Sequence, residues 1–268
     1  MSGWITANRR VMIRSRVRRI RCERTTMVTN EIYPADTARN PLAGFAITVD
    51  GPTSSGKGTV AKALARKYRL KFLDTGAVYR AVAISILKKG QDPADPAVAE
   101  AAAKSLNFDF RHKGDNVFGV WVDGVEVTEE IRTLEVGQIA SVVAIQPAVR
   151  AALKEFQVNY ANHWKPLVGV ILDGRDCGAR ICPQAEVKLF LTADVAERGR
   201  RRWLETSAKG DTTPLEQVIE QVAARDARDR DNTLVCEDAV VIDGTSLNQA
   251  EVLAEAVRVI EARIKTAP

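Results

Sequence analysis

Residues 45–68 read FAITVDGPTSSGKGTVAKALARKY. The first six, residues 45–50, are apolar and β-branched enough to predict a buried strand. Apolar residues at helical spacing between Val60 and Tyr68 predict an amphipathic helix. The segment between them has a glycine, four further residues and then Gly56-Lys57, which is the spacing of a phosphate-binding loop. The sequence therefore predicts a strand, a phosphate-binding loop (P-loop) and a helix in succession.

The residue types of this loop suit a polyphosphate. Gly51 and Gly56 permit backbone conformations and close approaches that a Cβ would block, so successive N–H groups can point into one concavity. The N-terminus of the following helix adds partial positive charge, and Lys57 adds a full one. A chance glycine-rich turn is the alternative, and the strand before the loop and the helix after it argue against that alternative.

Residue 58 distinguishes this loop from its commonest form, in which Ser or Thr follows the lysine. Gly58 stands there instead, and the hydroxyl comes one residue later, at Thr59. This Gly-Lys-Gly-Thr variant resembles the loop of nucleoside-monophosphate kinases rather than that of GTPases or motor ATPases. Thr59 is therefore a candidate ligand of magnesium.

Charge is unevenly distributed along the 268 residues. The formal net charge is +5, but residues 1–26 hold eight arginines and one glutamate, so the rest of the chain has more acidic than basic residues. This near-neutral body gives no reason to expect nucleic-acid binding. The four cysteines show no metal-ligand spacing, and no stretch has the length and apolarity of a membrane span. We therefore expect a cytoplasmic protein with reduced thiols.

The arginine-rich arm allows several interpretations. It could be a nucleic-acid tether that binds RNA, or an organelle transit peptide. We favour a disordered extension, or an upstream start codon that is not used, because Met27 opens a more ordinary sequence and runs of like charge usually stay solvated. The predicted organisation is a basic arm at residues 1–43 and one α/β domain at residues 44–268.

Strand and helix patterns alternate after the loop, which predicts an α/β fold with a central parallel sheet. Alternating apolar residues over about 107–127, with a tight turn at Asp123-Gly124, predict a small antiparallel meander. A helix is expected to begin at Pro147 and to end towards Asn159. An uninterrupted apolar run at residues 167–172 then predicts a central strand.

Several polar residues near the predicted strand ends have two interpretations. The segment from Asp74 to Arg80 could be an ordinary strand-to-helix connection capped by Asp74 or Thr75, or it could hold a second phosphate. The arginines of two later helices could form solvated faces with ion pairs one turn apart, or they could bind phosphate. We favour solvation for Arg200 and Arg228. The phosphate-binding interpretation, which follows from the charge that a kinase must neutralise, is favoured for Arg198, Arg202 and Arg225.

The order of these motifs resembles that of the bacterial cytidylate kinases over about residues 45–265. The matching segments are residues 51–59, Asp74-Thr75-Gly76 with Tyr79-Arg80, residues 130–133, Ser141, Arg150, residues 173–176 and Arg225 with Arg228-Asp229. The resemblance implies a P-loop kinase fold with an inserted nucleoside-monophosphate-binding subdomain at about 75–165, which contains the meander, and a short helical lid at about 195–232. It implies transfer of the γ-phosphoryl group of ATP to CMP or dCMP with Mg²⁺. We expect a monomer that has no membrane partner and whose folded body binds no nucleic acid.

The resemblance also implies a role for each matching residue. The ATP phosphates would be held by Gly51, Pro52, Thr53, Ser54, Ser55, Gly56, Lys57, Gly58 and Thr59. Thr59 and Asp173 would bind the metal. The acceptor nucleotide would be bound by Thr75, Tyr79, Arg80, Ser141, Arg150, Asp173, Gly174, Arg175, Asp176, Arg225 and Asp229. Among these, Ser141, Arg150 and Asp176 would contact the cytosine edge and Asp229 the ribose. The catalytic cations would be Lys57, Arg175, Arg225 and, in the lid, Arg198 and Arg202.

One departure from the family pattern concerns residue 232. The family usually has an arginine three residues after the ribose-binding aspartate, and this chain has Asn232. We therefore expect weaker acceptor binding unless a neighbour such as Arg230 substitutes.

Two other functions are compatible with a P-loop scaffold. One is a kinase of another small acceptor, such as another nucleoside monophosphate. The other is a nucleotide-binding regulatory protein that phosphorylates no acceptor. Residues 173–176 and Arg225 favour an acceptor-phosphate site and argue against the regulatory alternative.

Overall fold

The computed structural model describes residues 40–113 and 118–266, together with the backbone of residues 20–22 and 25–27. The last two segments form strands β1 and β2, which pair antiparallel. Residues 40–43 of the predicted arm are described as well, and Leu42 is fully buried in the core. The remaining residues of the arm lie outside the described part, so their predicted disorder stays a prediction.

A five-stranded parallel sheet lies at the centre of the described chain. The strands in chain order are β1 (Ile20–Cys22), β2 (Thr25–Met27), β3 (Ala46–Asp50), β4 (Lys71–Asp74), β5 (Phe108–His112), β6 (Phe118–Val122), β7 (Val125–Glu126), β8 (Val170–Gly174), β9 (Val187–Thr192) and β10 (Val240–Asp243). The sheet has the order β10-β9-β3-β8-β4, and all its neighbours are parallel. The strand that precedes the P-loop, β3, therefore lies between β8 and β9. The predicted central parallel sheet is confirmed.

Helices cover this sheet and bury its central strands. In chain order they are α1 (Lys57–Lys67), α2 (Thr75–Lys88), α3 (Pro96–Lys104), α4 (Leu134–Ala144), α5 (Pro147–Val168), α6 (Val195–Ser207), α7 (Leu215–Asp229) and α8 (Gln249–Thr266). Short helical turns occupy Glu130–Arg132, Cys177–Ile181 and Arg230–Asn232. Every residue of β3 and β8 is buried, as expected for parallel strands with both faces covered.

The meander is confirmed as a three-stranded antiparallel sheet in the order β5-β6-β7. Its tight turn uses Asp123 and Gly124, which have φ angles of 52° and 81°. This small sheet is inserted between α3 and α4, which places it within the predicted subdomain at about 75–165.

The predicted boundary between α5 and β8 was wrong. Helix α5 runs through Pro166 to Val168, and β8 begins only at Val170. The helix continues because Tyr160 and Trp164 bury its inner face at helical spacing. Gly169, with a φ of 77°, ends it.

No single helix among the described residues is long and apolar enough to cross a membrane. By length and composition alone, one pair does satisfy the criterion, namely α4 with α5, which is bent by 100°.

Candidate active site

A cleft of about 320 Å³ opens where β4 and β8 end and α1 begins. It is lined by Lys57, Gly58, Asp74, Thr75, Gly76, Tyr79, Arg80, Gly137, Ala140, Ser141, Ala144, Ile145, Arg150, Asp173, Gly174, Arg175, Asp176, Arg225, Asp229 and Asn232. All the residues predicted to bind the acceptor nucleotide are in this set. The fold thus brings together residues of β8, α2, α4, α5 and α7 that are far apart in sequence.

The P-loop needs glycine at two positions for different reasons. A Cβ at Gly51 would lie 2.0 Å from the backbone oxygen of Leu191 in β9. Gly56 has a φ of 87° at the N-cap of α1, a left-handed conformation that favours glycine. The loop is therefore shaped by its contact with β9 and by the turn into α1, with Lys57 as the first residue of the helix. The Nζ of Lys57 donates to the backbone oxygen of Pro52 at 3.1 Å.

Lys57 and Asp173 form a coupled pair of charges in the cleft. Burial, followed by the nearby Arg175, lowers the pKa of Lys57 to about 8, and Asp173 opposes this shift. Burial raises the pKa of Asp173 to about 7, which Lys57 opposes and Asp74 reinforces. Each charge is therefore disfavoured by loss of water and supported by the other.

Asp173 has one carboxylate oxygen without a partner. Its Oδ1 is buried and makes no hydrogen bond within the described residues. Its Oδ2 lies 2.8 Å from where a Cβ on Gly58 would stand. This close approach explains why the residue after the P-loop lysine is glycine rather than Ser or Thr. Thr59 is exposed in the first turn of α1 and does not line the cleft, so its predicted metal contact stays a prediction.

The end of β4 contributes residues on both sides of the next turn. Asp74 caps α2 by accepting from the N–H of Ala77 at 3.0 Å, and it also lines the cleft. The hydroxyl of Thr75 donates to the backbone oxygen of Asp173 at 2.8 Å. This bond joins α2 to β8. The position of Asp74 beside Asp173 was not predicted from the sequence, although both residues were expected to lie at strand ends.

Arg175 holds the P-loop from the end of β8. Its Nη1 donates to the backbone oxygen of Gly51 at 2.8 Å, and its Nη2 donates to the hydroxyl of Thr53 at 2.7 Å. Its Nε lies 3.4 Å from Oδ2 of Asp229, at the end of α7. One guanidinium therefore connects the P-loop with the predicted ribose-binding carboxylate.

Arg198 and Arg202 occupy different environments although both lie on α6. The side chain of Arg198 is 8% exposed; it donates to the backbone oxygens of Ala193 and Thr53, at 2.8 and 3.0 Å, and pairs with Asp226. The other oxygen of Asp226 accepts from the N–H of Thr53 at 3.3 Å. Arg198 lies outside the cleft lining and anchors α6 and α7 to the P-loop.

The side chain of Arg202 is 44% exposed and pairs with Glu205. Its charge contributes to lowering the pKa of Arg80 and of Arg225, although it does not line the cleft. The predicted catalytic roles of Arg198 and Arg202 in the lid stay predictions.

Arginines crowd the acceptor side of the cleft. Burial lowers the pKa of Arg225 to about 10, and the charge of Arg175 is the next cause. The pKa of Arg80 is also lowered, first by burial, while its Nη1 donates to the backbone oxygen of Ile131 at 2.6 Å. The buried Nε of Arg225 has no hydrogen-bond partner within the described residues and lies 3.8 Å from Asp229. Cations that repel one another in a cleft favour an anionic ligand such as a phosphate.

The predicted base-reading residues meet on one side of the cleft. Nη2 of Arg150, on α5, is paired with Oδ2 of Asp176. The hydroxyl of Ser141 donates to the backbone oxygen of Gly137 at 3.0 Å, one turn earlier in α4. Tyr79 is half-buried nearby, and its loss of contact with water raises its pKa. The pocket presents a carboxylate, a guanidinium and a hydroxyl beside apolar side chains.

Asp50 holds the backbone that directly follows Asp176. Its carboxylate accepts from the N–H groups of Cys177 and Gly178, at 2.9 and 2.8 Å. Its burial raises its pKa, and the two backbone hydrogen bonds oppose this shift. The helical turn Cys177–Ile181 is thereby tied to the end of β3.

Arg180 belongs to the same region, and the sequence analysis missed it. Its Nη1 donates to Oδ2 of Asp176 and to Oδ1 of Asn232, both at 3.1 Å. Arg230, the neighbour expected to substitute for the missing arginine, is exposed and does not line the cleft. The spacing of Asp176 and Arg180, one helical turn apart, was the available signal.

Comparison with known proteins agrees with this geometry. A family model described as "Cytidylate kinase" matches residues 47–262. The chain is 39% identical over 218 residues to a cytidylate kinase of Magnetococcus marinus, which covers 80% of this chain and 94% of the relative. It is 41% identical over 229 residues to one of Actinobacillus succinogenes, which covers 81% of this chain and 98% of the relative. The chain belongs to the cytidylate kinase family.

Proposed function

We propose that this protein transfers the γ-phosphoryl group of ATP to CMP or dCMP, giving ADP and CDP or dCDP. One observation carries the proposal: a single cleft joins the P-loop lysine to a cluster of arginines and to the Arg150–Asp176 pair. Membership of the cytidylate kinase family supports it. No observation favours a kinase of another acceptor or a regulatory protein without an acceptor.

The P-loop and Lys57 would bind the ATP phosphates. The loop offers backbone N–H groups and the N-terminus of α1, which together favour an anion. Arg175 keeps the loop in place through Gly51 and Thr53. When phosphate enters, Lys57 can exchange its bond to Pro52 for a charge-assisted bond to ATP.

Magnesium fits the unpartnered carboxylate of Asp173. Mg²⁺ is usually bound through one or two carboxylates together with substrate phosphates and water, and the buried Oδ1 of Asp173 is such an oxygen. When bound, the ion neutralises charge shared between the ATP phosphates. Thr59 is a second candidate ligand because it lies in the same turn as Lys57.

The acceptor nucleotide would be bound by its phosphate, its sugar and its base. Arg80 and Arg225 would hold the phosphate, and Asp229 would accept from the ribose. Asp176 would accept from the exocyclic amine of cytosine, and Arg150 would donate to the adjacent ring acceptors. Uracil replaces that amine by a carbonyl, which would leave the carboxylate without its partner.

Catalysis would come from positioning and charge neutralisation rather than from a covalent intermediate. Movement of the lid at about 195–232 would exclude water and limit wasteful hydrolysis of ATP. We also infer that the enzyme is a cytoplasmic monomer that needs no nucleic-acid partner. The near-neutral charge of the chain after residue 26 supports the expectation of no nucleic-acid partner. The free thiols of Cys177, Cys182 and Cys236 support the cytoplasmic location.

The test is an assay of ADP formation with CMP, dCMP, UMP, AMP, GMP and shikimate. We expect CMP or dCMP to stimulate ADP formation and to be preferred to UMP by about 10- to 100-fold, because an unpaired buried partner costs about 1–3 kcal/mol. Lys57→Met should lose most of this activity and remain folded, as measured by thermal unfolding. Equal rates with CMP and UMP would contradict the base pocket. ADP formation that no acceptor stimulates would contradict the proposed function.

A further inference from the structure

We propose that Arg180 is a positioning residue that determines acceptor affinity and base choice, acting with Asn232 as one unit. The proposal rests on the proposed function, because it concerns how the acceptor base is recognised. Arg180 is the fourth residue of the turn Cys177–Ile181, which directly follows the acceptor-site segment at 173–176. It is a residue to which no motif assigned a role.

The contacts of Arg180 connect two parts of the cleft. Its Nη1 donates to Oδ2 of Asp176 and to Oδ1 of Asn232, each at 3.1 Å, and its Nη2 donates to the backbone oxygen of Asp231 at 3.4 Å. Asp176 and Asn232 both line the cleft. One guanidinium therefore joins the predicted base-reading carboxylate to the turn that ends α7.

The backbone of Arg180 is held firmly although its side chain is 39% exposed. Asp50 accepts from two N–H groups of the same turn, at Cys177 and Gly178. The N–H of Arg180 itself donates to the backbone oxygen of Asp176 at 2.8 Å. The guanidinium therefore extends from a backbone turn that is itself held by hydrogen bonds.

Two arginines set the orientation of the Asp176 carboxylate. Among the described residues, Arg150 and Arg180 both donate a hydrogen bond to Oδ2 of Asp176. The other oxygen, Oδ1, is then the acceptor available to the exocyclic amine of cytosine. Arg150 is also proposed to donate to the base, so Arg180 is the partner whose contact with Asp176 need not be shared with the nucleotide. Loss of Arg180 should let the carboxylate rotate.

Asn232 is uncharged and can therefore accept a hydrogen bond from Arg180 without repelling its guanidinium. Its Oδ1 accepts from Arg180, so the positive charge on this side of the cleft is supplied from the turn after β8 instead of from residue 232. An arginine at residue 232 would place two guanidinium groups beside each other. We therefore expect Asn232→Arg to weaken CMP binding in the wild-type background, contrary to the sequence-based expectation that the asparagine is a defect.

The experiment compares the full-length wild-type protein with Arg180→Met, Asn232→Arg and the double variant. Arg180→Met should raise the KM for CMP about 10-fold or more and lower the preference for CMP over UMP about 10-fold, since a hydrogen-bonded charged group is lost. The KM for ATP should change less than about 3-fold, because the P-loop contacts of Arg175 remain. As a single substitution, Asn232→Arg should raise the KM for CMP. In the Arg180→Met background the same substitution should lower it.

Further variants separate positioning from a general loss of structure. Arg180→Lys keeps the charge without the planar fork and should give intermediate values. Asn232→Ala removes the hydrogen bond between Arg180 and Asn232 from the side of the partly exposed Asn232. It should raise the KM for CMP even if Arg180→Met does not fold. Arg258→Met breaks an exposed ion pair with Glu255 on α8 and should change none of these values.

The outcomes distinguish this inference from the proposed function. If the wild-type protein phosphorylates CMP and neither Arg180→Met nor Asn232→Ala changes the KM for CMP, the positioning role is wrong and the function stands. It is also wrong if Asn232→Arg lowers that KM equally in both backgrounds. If the wild-type protein neither phosphorylates CMP nor binds it in calorimetry, the proposed function fails first.

Discussion

Substitution of Gly58 by alanine tests the geometry at the centre of the proposed site. An alanine Cβ would lie 2.8 Å from Oδ2 of Asp173, inside an ordinary carbon–oxygen contact. Asp173 cannot retreat freely: it is buried, it pairs with Asp74 of β4 and Val49 of β3, and its backbone oxygen is bonded to Thr75. The carboxylate must therefore turn or shift by several tenths of an ångström.

The expected size of the effect follows from that displacement. Overpacking of a tight site costs about 1–3 kcal/mol of folding free energy. Misplacement of a reacting group by about 1 Å can lower the rate about 100-fold, so a smaller shift of the proposed metal ligand should lower kcat about 10- to 50-fold. Since Gly58 has an ordinary helical conformation in α1, alanine would otherwise stabilise the helix by up to about 1 kcal/mol. The two effects on stability have opposite signs.

The assay follows ADP formation at saturating CMP while Mg²⁺ is varied, together with thermal unfolding. We expect a lower kcat, a higher Mg²⁺ concentration for half-maximal rate, and a lower Tm. A Gly58→Ala protein with a raised Tm and unchanged kcat would refute the reasoning, because it would show that Asp173 does not press against the start of α1.

Three further predictions concern the arginine anchor, the coupled charges and the arm. Arg198→Leu should lower the free energy of unfolding by about 3 kcal/mol in denaturant titration, because Asp226 loses its ion pair and the carbonyls of Ala193 and Thr53 lose the guanidinium donor. The exposed Arg202→Leu should change it by less than about 0.5 kcal/mol. The kcat/KM for ATP should be greatest between about pH 7 and pH 8, falling at lower pH as Asp173 takes up a proton and at higher pH as Lys57 loses one. If Lys57→Arg leaves the pH profile above pH 8 unchanged, the loss of activity at high pH does not come from deprotonation of Lys57. Removal of residues 1–26 should leave kcat and the KM for CMP unchanged, and an inactive truncated protein would contradict the proposed disorder.

Features that depend on local sequence were predictable. The P-loop lies between a buried strand and a helix, so its glycines and its lysine could be recognised from their spacing. The alternating residues of the meander gave its three strands in the correct place. The order of the main sheet, with β8 and not β4 beside β3, depends on long-range packing that no local pattern encodes.

Side-chain destinations were less predictable than positions. Arg198 and Arg202 lie one turn apart on α6 and look equivalent in the sequence, yet one is buried against the P-loop and the other pairs at the surface. Arg180 reaches Asn232 only because the turn Cys177–Ile181 bends beside the end of α7. The end of α5 was predicted near Asn159, and the apolar run at residues 167–172 was assigned entirely to the following strand. In the structure the helix continues through Pro166, which is tolerated in the last turn before Gly169, to Val168.

Thr53 connects the P-loop by hydrogen bonds to α6, to α7 and to the segment that follows β8. Its N–H, its carbonyl and its hydroxyl contact, in turn, Asp226, Arg198 and Arg175. Helices α6 and α7 therefore cannot move towards an acceptor without altering hydrogen bonds of the P-loop, the proposed ATP-binding loop. Binding free energies coupled in this way are reciprocal. Whatever factor CMP contributes to the affinity for ATP, ATP contributes to the affinity for CMP.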